Sequence, residues 1–149
     1  MNSPRISWQI LENIDQNTFE YVQYKTYTEE GSYIPGEFLT KRIQVWNNHS
    51  GKEDVQDAKD AVLVIAFKTY EDSFLLNLVS VAIDSINYPL EIDVDKGIVN
   101  IGNLSGVANA GLSSNESNYK TIDITIGPIP PNIKSELKSM YFYLEYVTE

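Results

Sequence analysis

Apolar residues occupy every second position in several segments of the chain. In Thr121–Ile126, for example, Ile122, Ile124 and Ile126 alternate with polar residues. Side chains of a β-strand point to opposite faces with period two, so this pattern predicts half-buried strands of antiparallel sheets. The same alternation predicts strands at Ile43–Trp46 and Met140–Val147.

Two further segments, Ala61–Lys68 and Leu75–Ile83, are almost continuously apolar. Their content of β-branched residues favours central strands over helices. Thr69–Ser73 between them is short and polar, which predicts a hairpin loop. We expect one core that contains Leu63, Ile65, Phe67, Ile124 and Phe142.

Shorter strands are predicted around these segments. Leu90–Val94 and Ile98–Ile101 flank Asp95-Lys96-Gly97, a predicted hairpin turn in which glycine is available for a positive φ. Thr18–Thr28 is rich in tyrosine and threonine and is interpreted as a strand at a sheet edge. Ser7–Leu11 is interpreted as one more strand.

Helix signals are few. Ser50–Asp60 has the capping-box spacing of Ser50 and Glu53, which predicts one or two helical turns. Pro130-Pro131 followed by Asn132–Leu137 predicts another turn. The pattern as a whole indicates one domain over residues 1–149: an all-β, antiparallel β-sandwich of immunoglobulin-like or jelly-roll type, with about eight or nine strands.

Composition narrows the function classes. The chain has no cysteine, which excludes disulfides, cysteine nucleophiles and zinc–thiolate sites. Its net charge is −10 and its largest basic cluster is the pair Lys41–Arg42, so we expect no nucleic-acid partner. The sequence has no pattern of a signal peptide, and its apolar runs are too short to span a bilayer, so we expect neither membrane insertion nor a secretory route.

Candidate catalytic residues are sparse. The single histidine, His49, lies in a polar segment, and no serine lies in a nucleophile-elbow pattern. Acidic residues recur at Asp54, Asp57 and Asp60 and at Asp93 with Asp95, and we interpret them as a solvated acidic surface. We therefore expect a non-enzymatic protein without catalytic residues or cofactor.

Calcium is the alternative use of these carboxylates. Asn47, Asn48, Asp54 and Asp57 offer oxygen ligands near one loop, but their spacing does not match an EF-hand. We therefore expect no metal site.

The long segment Gly102–Asn118 is a candidate interaction loop. It is rich in glycine, serine and asparagine, and Glu116 is its only charged residue. Low charge reduces the cost of burying it against a partner, and ordering it costs about 1–2 kcal/mol of backbone entropy per residue. We expect it to be mobile until a neighbouring subunit holds it; a surface loop without function is the alternative. The expected contact residues are Gly102, Leu104, Gly106, Val107, Asn109, Gly111, Leu112 and Asn115.

Aromatic residues leave a second function open. The chain has ten tyrosines and two tryptophans, and exposed aromatic rings stack on sugars. Tyrosine serves half-buried strands and protein interfaces equally well. A carbohydrate-binding or receptor-binding module, with a glycan as ligand, is therefore the alternative to a protein-packing role.

The run Ile43–Ala58 (IQVWNNHSGKEDVQDA), followed by the apolar strand Ala61–Phe67 and by Tyr70-Glu71-Asp72-Ser73, resembles small β-sandwich virion proteins from the tails, necks and baseplates of phages that infect Gram-positive bacteria. The resemblance covers about a third of the chain. It implies a repeated structural subunit in a homo-oligomer or among other virion proteins, assembled in the host cytoplasm into the particle. It brings no catalytic residues.

Overall fold

A computed structural model describes residues 2–11, 20–22, 26–32, 36–67, 70–108, 116–129 and 137–148. These residues form two antiparallel sheets and two short 3-10 helices, Tyr70–Leu78 and Glu116–Asn118. In spatial order, the six-stranded sheet contains β2 (Glu20–Val22), β1 (Ile6–Leu11), β4 (Leu39–Asn47), β10 (Tyr119–Ile126), β6 (Val79–Ile83) and β7 (Ile86–Tyr88). The five-stranded sheet contains β3 (Thr26–Ser32), β11 (Leu137–Val147), β5 (Ala58–Phe67), β9 (Lys96–Leu104) and β8 (Glu91–Asp93).

Most successive strands lie in different sheets. The chain passes from one sheet to the other at each step from β2 to β6, from β7 to β8, and at each step from β9 to β11, whereas β1–β2, β6–β7 and β8–β9 stay within one sheet. Such alternation is typical of a jelly roll, one of the two sandwich types expected from the sequence. The predicted all-β, antiparallel sandwich is thus confirmed, although the described residues form eleven strands where eight or nine were expected.

The core lies between the sheets and draws on both. Trp8, Ile43 and Ile124 of the six-stranded sheet pack in one cluster with residues of the five-stranded sheet. The five predicted core residues Leu63, Ile65, Phe67, Ile124 and Phe142 all belong to this cluster. Full burial of each such aliphatic or aromatic side chain stabilises the fold by about 1.5–3 kcal/mol, so the alternating strands hold the sandwich together.

The predicted strand at Leu75–Ile83 is only half correct. Its first part belongs to the 3-10 helix that ends at Leu78, and the strand begins at Val79. Because β5 and β6 lie in different sheets, the chain must cross the space between them, so the expected hairpin at Thr69–Ser73 is wrong. Leu75 and Leu76 are buried in the core, which explains why the crossing segment is as apolar as a central strand.

No helix forms between Ser50 and Asp60. This segment contains turns and a single β-bridge from Val55 to Asn2, and β5 begins at Ala58. The capping-box prediction is wrong because the polar side chains here bind backbone groups of distant segments. The second predicted helical turn, at Asn132–Leu137, lies outside the described residues except for Leu137, which begins β11.

The predicted β8–β9 hairpin exists, but its turn lies at Val94 and Asp95, with Val94 at φ 57°. Gly97 belongs to β9, where a Cβ atom would lie 2.8 Å from a methyl carbon of Leu90. A glycine is therefore favoured at this position because Leu90 packs close to it, and not because the turn requires one. The predicted edge strand at Thr18–Thr28 is two strands, β2 and the start of β3, at the edges of different sheets.

Candidate interaction surface

The outer face of the five-stranded sheet is apolar. Val64 of β5 lies in register between Tyr143 of β11 and Ile98 of β9, and the next row pairs Tyr141 with Ala66. These side chains point away from the core, since their neighbours along each strand belong to the core cluster. We name this surface the outer apolar face: Val62, Val64, Ala66, Ile98, Tyr141 and Tyr143. Val64 is only 1% exposed, whereas Val62, Ile98 and both tyrosines are half-buried.

Charged residues border the outer apolar face. Lys96 hydrogen-bonds the side chain of Tyr143, and this bond raises the pKa of the Lys96 ammonium, with smaller contributions from the Tyr143, Asp95 and Glu145 charges. Glu91 and Asp93 follow on the neighbouring edge strand, opposite Ile98 and Lys96. An apolar centre with a charged border is the arrangement found in many protein interfaces.

The outer face of the six-stranded sheet is polar by contrast. Gln44 donates to Thr121 across β4 and β10, and Thr40 lies opposite Thr125. Arg42 forms a bidentate pair with Asp123, with Nε 2.6 Å from Oδ1 and an Nη nitrogen 3.0 Å from Oδ2. This hydrogen bond raises the pKa of Arg42. This polar face can stay in contact with water without a partner. The two outer faces of the sandwich therefore differ in polarity.

Both tryptophans are buried. Trp8 is 0% exposed in the core, and Trp46 is 4% exposed beneath Tyr119 and His49. The Trp46 and Tyr119 rings stack with centroids 4.2 Å apart. Neither tryptophan therefore presents an open ring to a sugar.

His49 is held in a structural position. Its ring meets the Trp46 ring edge-on, and its Nε2 accepts a hydrogen bond from the side-chain amide of Gln9. Burial lowers the pKa of His49, which favours the neutral ring. Its Nδ1 lies 3.3 Å from the Ser50 hydroxyl, but an amide occupies the position where a serine hydrolase has an orienting carboxylate.

Three buried asparagines join the loops at one end of the sandwich. The Asn118 side-chain amide donates to the carbonyl oxygens of Asn47, Ser105 and Val107 at 2.9–3.0 Å. Asn48 donates to Glu53, Gly106 and Val107, and Asn47 donates to Gln56 and Leu104. We name Asn47, Asn48 and Asn118 the asparagine junction. Sequence reasoning missed it; its one signal was the Trp-Asn-Asn end of β4.

Asp54 and Asp57 complete this arrangement. Asp57 accepts a hydrogen bond from the backbone N–H of Gly106, and Asp54 accepts one from Ala108. A Cβ atom on Gly106 would lie 2.0 Å from the Val55 carbonyl oxygen, so only glycine fits there. The carboxylates interpreted as a solvated surface thus fasten a loop. Within the part of the chain that the structure describes, no three His, Cys, Asp or Glu residues group as metal ligands.

The predicted interaction loop is divided by these contacts. Gly102 and Leu104 lie in β9, so the loop begins later than expected. Gly106 and Val107 are bound to the asparagine junction. The remaining predicted contact residues, Asn109, Gly111, Leu112 and Asn115, lie outside the described residues. The role of the loop in an interface stays a prediction.

Comparison with known proteins does not assign a function, so a functional proposal rests on the surface described above. No family model, curated protein or solved structure matches the chain. Among the described residues, no helix is both long and apolar enough to cross a bilayer.

Proposed function

We propose that this protein is a non-enzymatic structural subunit that packs against other protein subunits, beginning with copies of itself. The outer apolar face is the observation that carries this proposal. An antiparallel sheet with one solvated face normally alternates apolar and polar residues along each strand. The central strand β5 instead carries apolar side chains on both sides, with Leu63 and Ile65 in the core and Val62 and Val64 outside.

The composition of this face supports protein contact. Apolar side chains with a polar border mark interaction sites on soluble proteins, and the parts of this face that stay open to solvent belong to Val62, Ile98, Tyr141 and Tyr143. Tyrosine is enriched at the centres of interfaces, and Tyr141 and Tyr143 lie on β11, next to the central strand β5. The polar outer face of the other sheet leaves one side free for solvent or for a different neighbour.

The bonding of the candidate catalytic residues supports a role without catalysis. His49 is oriented by an amide, and Asp54 and Asp57 are engaged with backbone N–H groups. A general acid or base must lie within hydrogen-bond reach of a substrate proton. These side chains serve the fold instead.

The assembly that we propose is a phage particle or a tail-like structure, in which this chain would be a virion component. This part of the proposal rests on the resemblance of Ile43–Ala58 to small virion sandwiches. A subunit that repeats in such a particle acts by contact surfaces alone.

Sedimentation analysis of wild type and of an Ile98→Lys variant tests the proposal. Ile98 lies opposite Glu91, so a lysine there gains a cross-strand partner and the fold is retained. We expect wild type to self-associate with rising concentration and the variant to associate at least about tenfold more weakly, because a charge would have to be buried. Thr40→Lys, on the polar outer face, is the matched control and should behave as wild type.

Circular dichroism of each variant verifies that the sandwich is intact. A wild-type protein that stays monomeric at the highest soluble concentration would contradict self-assembly. Equal weakening by Ile98→Lys and Thr40→Lys would contradict the assignment of the contact to the outer apolar face.

A further inference from the structure

The sandwich is open along the edge formed by β7 and β8. Ile86 and Tyr88 of β7 pair in register with Ile83 and Val81, whose side chains belong to the core. Ile86 and Tyr88 therefore point toward the space between the sheets. They are nevertheless 60% and 41% exposed, because at this edge the facing sheet does not cover them.

The five-stranded sheet also has an exposed apolar residue that points inward at this edge. Ile92 of β8 lies opposite Gly97, which in turn lies opposite the core residue Ile65, so Ile92 also points toward the inter-sheet space. Ile92 is 42% exposed. Since β8 pairs only with Lys96–Ile98, the rest of β9 extends past it.

A slot of about 250 Å³ lies beyond the end of β8. Its lining is mixed: apolar side chains of both sheets contribute, together with Asn100 and the Asp84–Lys120 ion pair. We name this region of the edge the edge slot: Ile83, Ile86, Tyr88 and Ile101 line the cavity, and Ile92 lies on the adjacent edge strand β8. The apolar side chains of Ile86, Tyr88 and Ile92 point inward, but the opposite sheet does not cover them. A strand added at this edge would cover them and complete the sandwich.

The backbone at this edge is suited to such an addition. In the described sheets, β7 and β8 each have a strand neighbour on one side only. A free strand edge presents unpaired N–H and C=O groups, and an extended peptide can pair with them while its alternate side chains enter pockets.

The charges of the edge select the partner. Leu90–Asp95 reads Leu-Glu-Ile-Asp-Val-Asp, so acidic residues occupy every second position. A second copy of β8 paired with the first would place carboxylates opposite carboxylates, which is unfavourable. The outward positions of an added strand instead favour positive charge.

We propose that the edge slot binds an extended segment of a partner protein in which apolar residues alternate with lysine or arginine. The apolar residues enter between Ile86, Tyr88 and Ile92. The basic residues lie outside, opposite Glu91 and Asp93. This site is separate from the outer apolar face and uses backbone pairing, whereas the outer apolar face uses side-chain packing.

Synthetic peptides test the proposal on the full chain. The probe is a fluorescent peptide of alternating valine and lysine, compared with alternating valine and glutamate and with a valine–lysine peptide that has proline at its centre. Fluorescence anisotropy measures binding, and hydrogen exchange locates it. We expect saturable binding of the valine–lysine peptide, with slower exchange in β7 or β8, and at least about tenfold weaker binding of the other two.

Variants separate the slot from general attraction to an acidic protein. Ile92→Lys should weaken binding of the valine–lysine peptide at least about tenfold, and Ile86→Lys on the opposite wall should do the same. The control is Val147→Lys. Val147 is 54% exposed in β11, so this substitution adds the same charge at a position outside the edge slot. Circular dichroism verifies the fold of each variant.

The proposal is overturned if the valine–lysine peptide fails to bind, if the proline peptide binds equally well, or if all three lysine variants weaken binding to the same extent. None of these results bears on self-association through Ile98. Failure of the edge slot is therefore distinguishable from failure of the proposed function.

Discussion

Single amide groups hold one end of this sandwich together. Asn118 is 0% exposed, and its amide donates to three carbonyl oxygens. Buried carbonyls outside a strand ladder need such donors, because an unpaired buried polar group costs about 1–3 kcal/mol. Asparagine supplies two N–H groups on a short side chain, so it fits where loops converge. The asparagine junction is therefore a substitute for regular backbone pairing.

Replacement of Asn118 by alanine should destabilise the protein by about 2–4 kcal/mol, since the Asn47 and Ser105 carbonyls lose the Asn118 donor and the Val107 carbonyl keeps only the bond from Asn48. Urea unfolding followed by circular dichroism measures the change. Asn87→Ala, at an exposed position of β7, is the control and should stay within about 0.5 kcal/mol of wild type. Similar losses in both variants would show that the junction contributes nothing special.

At the scale of elements, β5 is the strand that contributes to both the core and the outer apolar face. It lies between β11 and β9, faces the core on one side and forms the centre of the outer apolar face on the other. Its neighbouring residues Val62 and Leu63 thus serve different purposes. Leu63 is 0% exposed in the core, whereas Val62 is half-buried on the outside.

Alanine at these two adjacent positions should separate stability from association. Leu63→Ala should cost about 2–5 kcal/mol, because it removes buried methyl groups and leaves a cavity. Val62→Ala should cost less than about 1 kcal/mol in the monomer, yet weaken self-association. Thermal unfolding and sedimentation of both variants give the two quantities, and a larger stability loss at Val62 would contradict the assignment of the faces.

The elements also show how far sequence patterns reach. Period-two alternation predicted β4, β10 and β11 because each has one face in the core and one outside. The run Leu75–Leu78 misled because burial in a crossing segment demands apolar residues just as a central strand does. The asparagine junction could not be predicted, since its partners come from segments far apart in the chain. The apolar outer side of β5 was visible in Ala61–Phe67, but its meaning required the register.

At the scale of the whole molecule, a net charge of −10 dominates the response to ions. Like charges on one compact body repel each other, and salt screens this repulsion. We therefore expect salt to raise the melting temperature, whichever cation is used.

Calcium at fixed ionic strength should add nothing to that rise, because Asp54 and Asp57 accept backbone hydrogen bonds. A specific site would stabilise the fold by about 2.7 kcal/mol at one hundred times its dissociation constant. Differential scanning calorimetry with calcium and magnesium salts compares the two cases. A rise specific to calcium that disappears in Asp54→Asn would prove this expectation wrong.

The strand order has a consequence for folding during synthesis on the ribosome. β10 lies between β4 and β6, and β11 lies between β3 and β5, so each sheet is completed by one of the last two described strands in chain order. Before β10 and β11 leave the ribosome, β1 can pair with β2 and β4, β6 with β7, and β9 with β5 and β8, whereas β3 has β11 as its partner in the described sheets. Pairing between distant segments is slow because loop closure comes first. The partial sheets are joined into complete sheets only when β10 and β11 pair with them, so their apolar faces are open to chaperones until then.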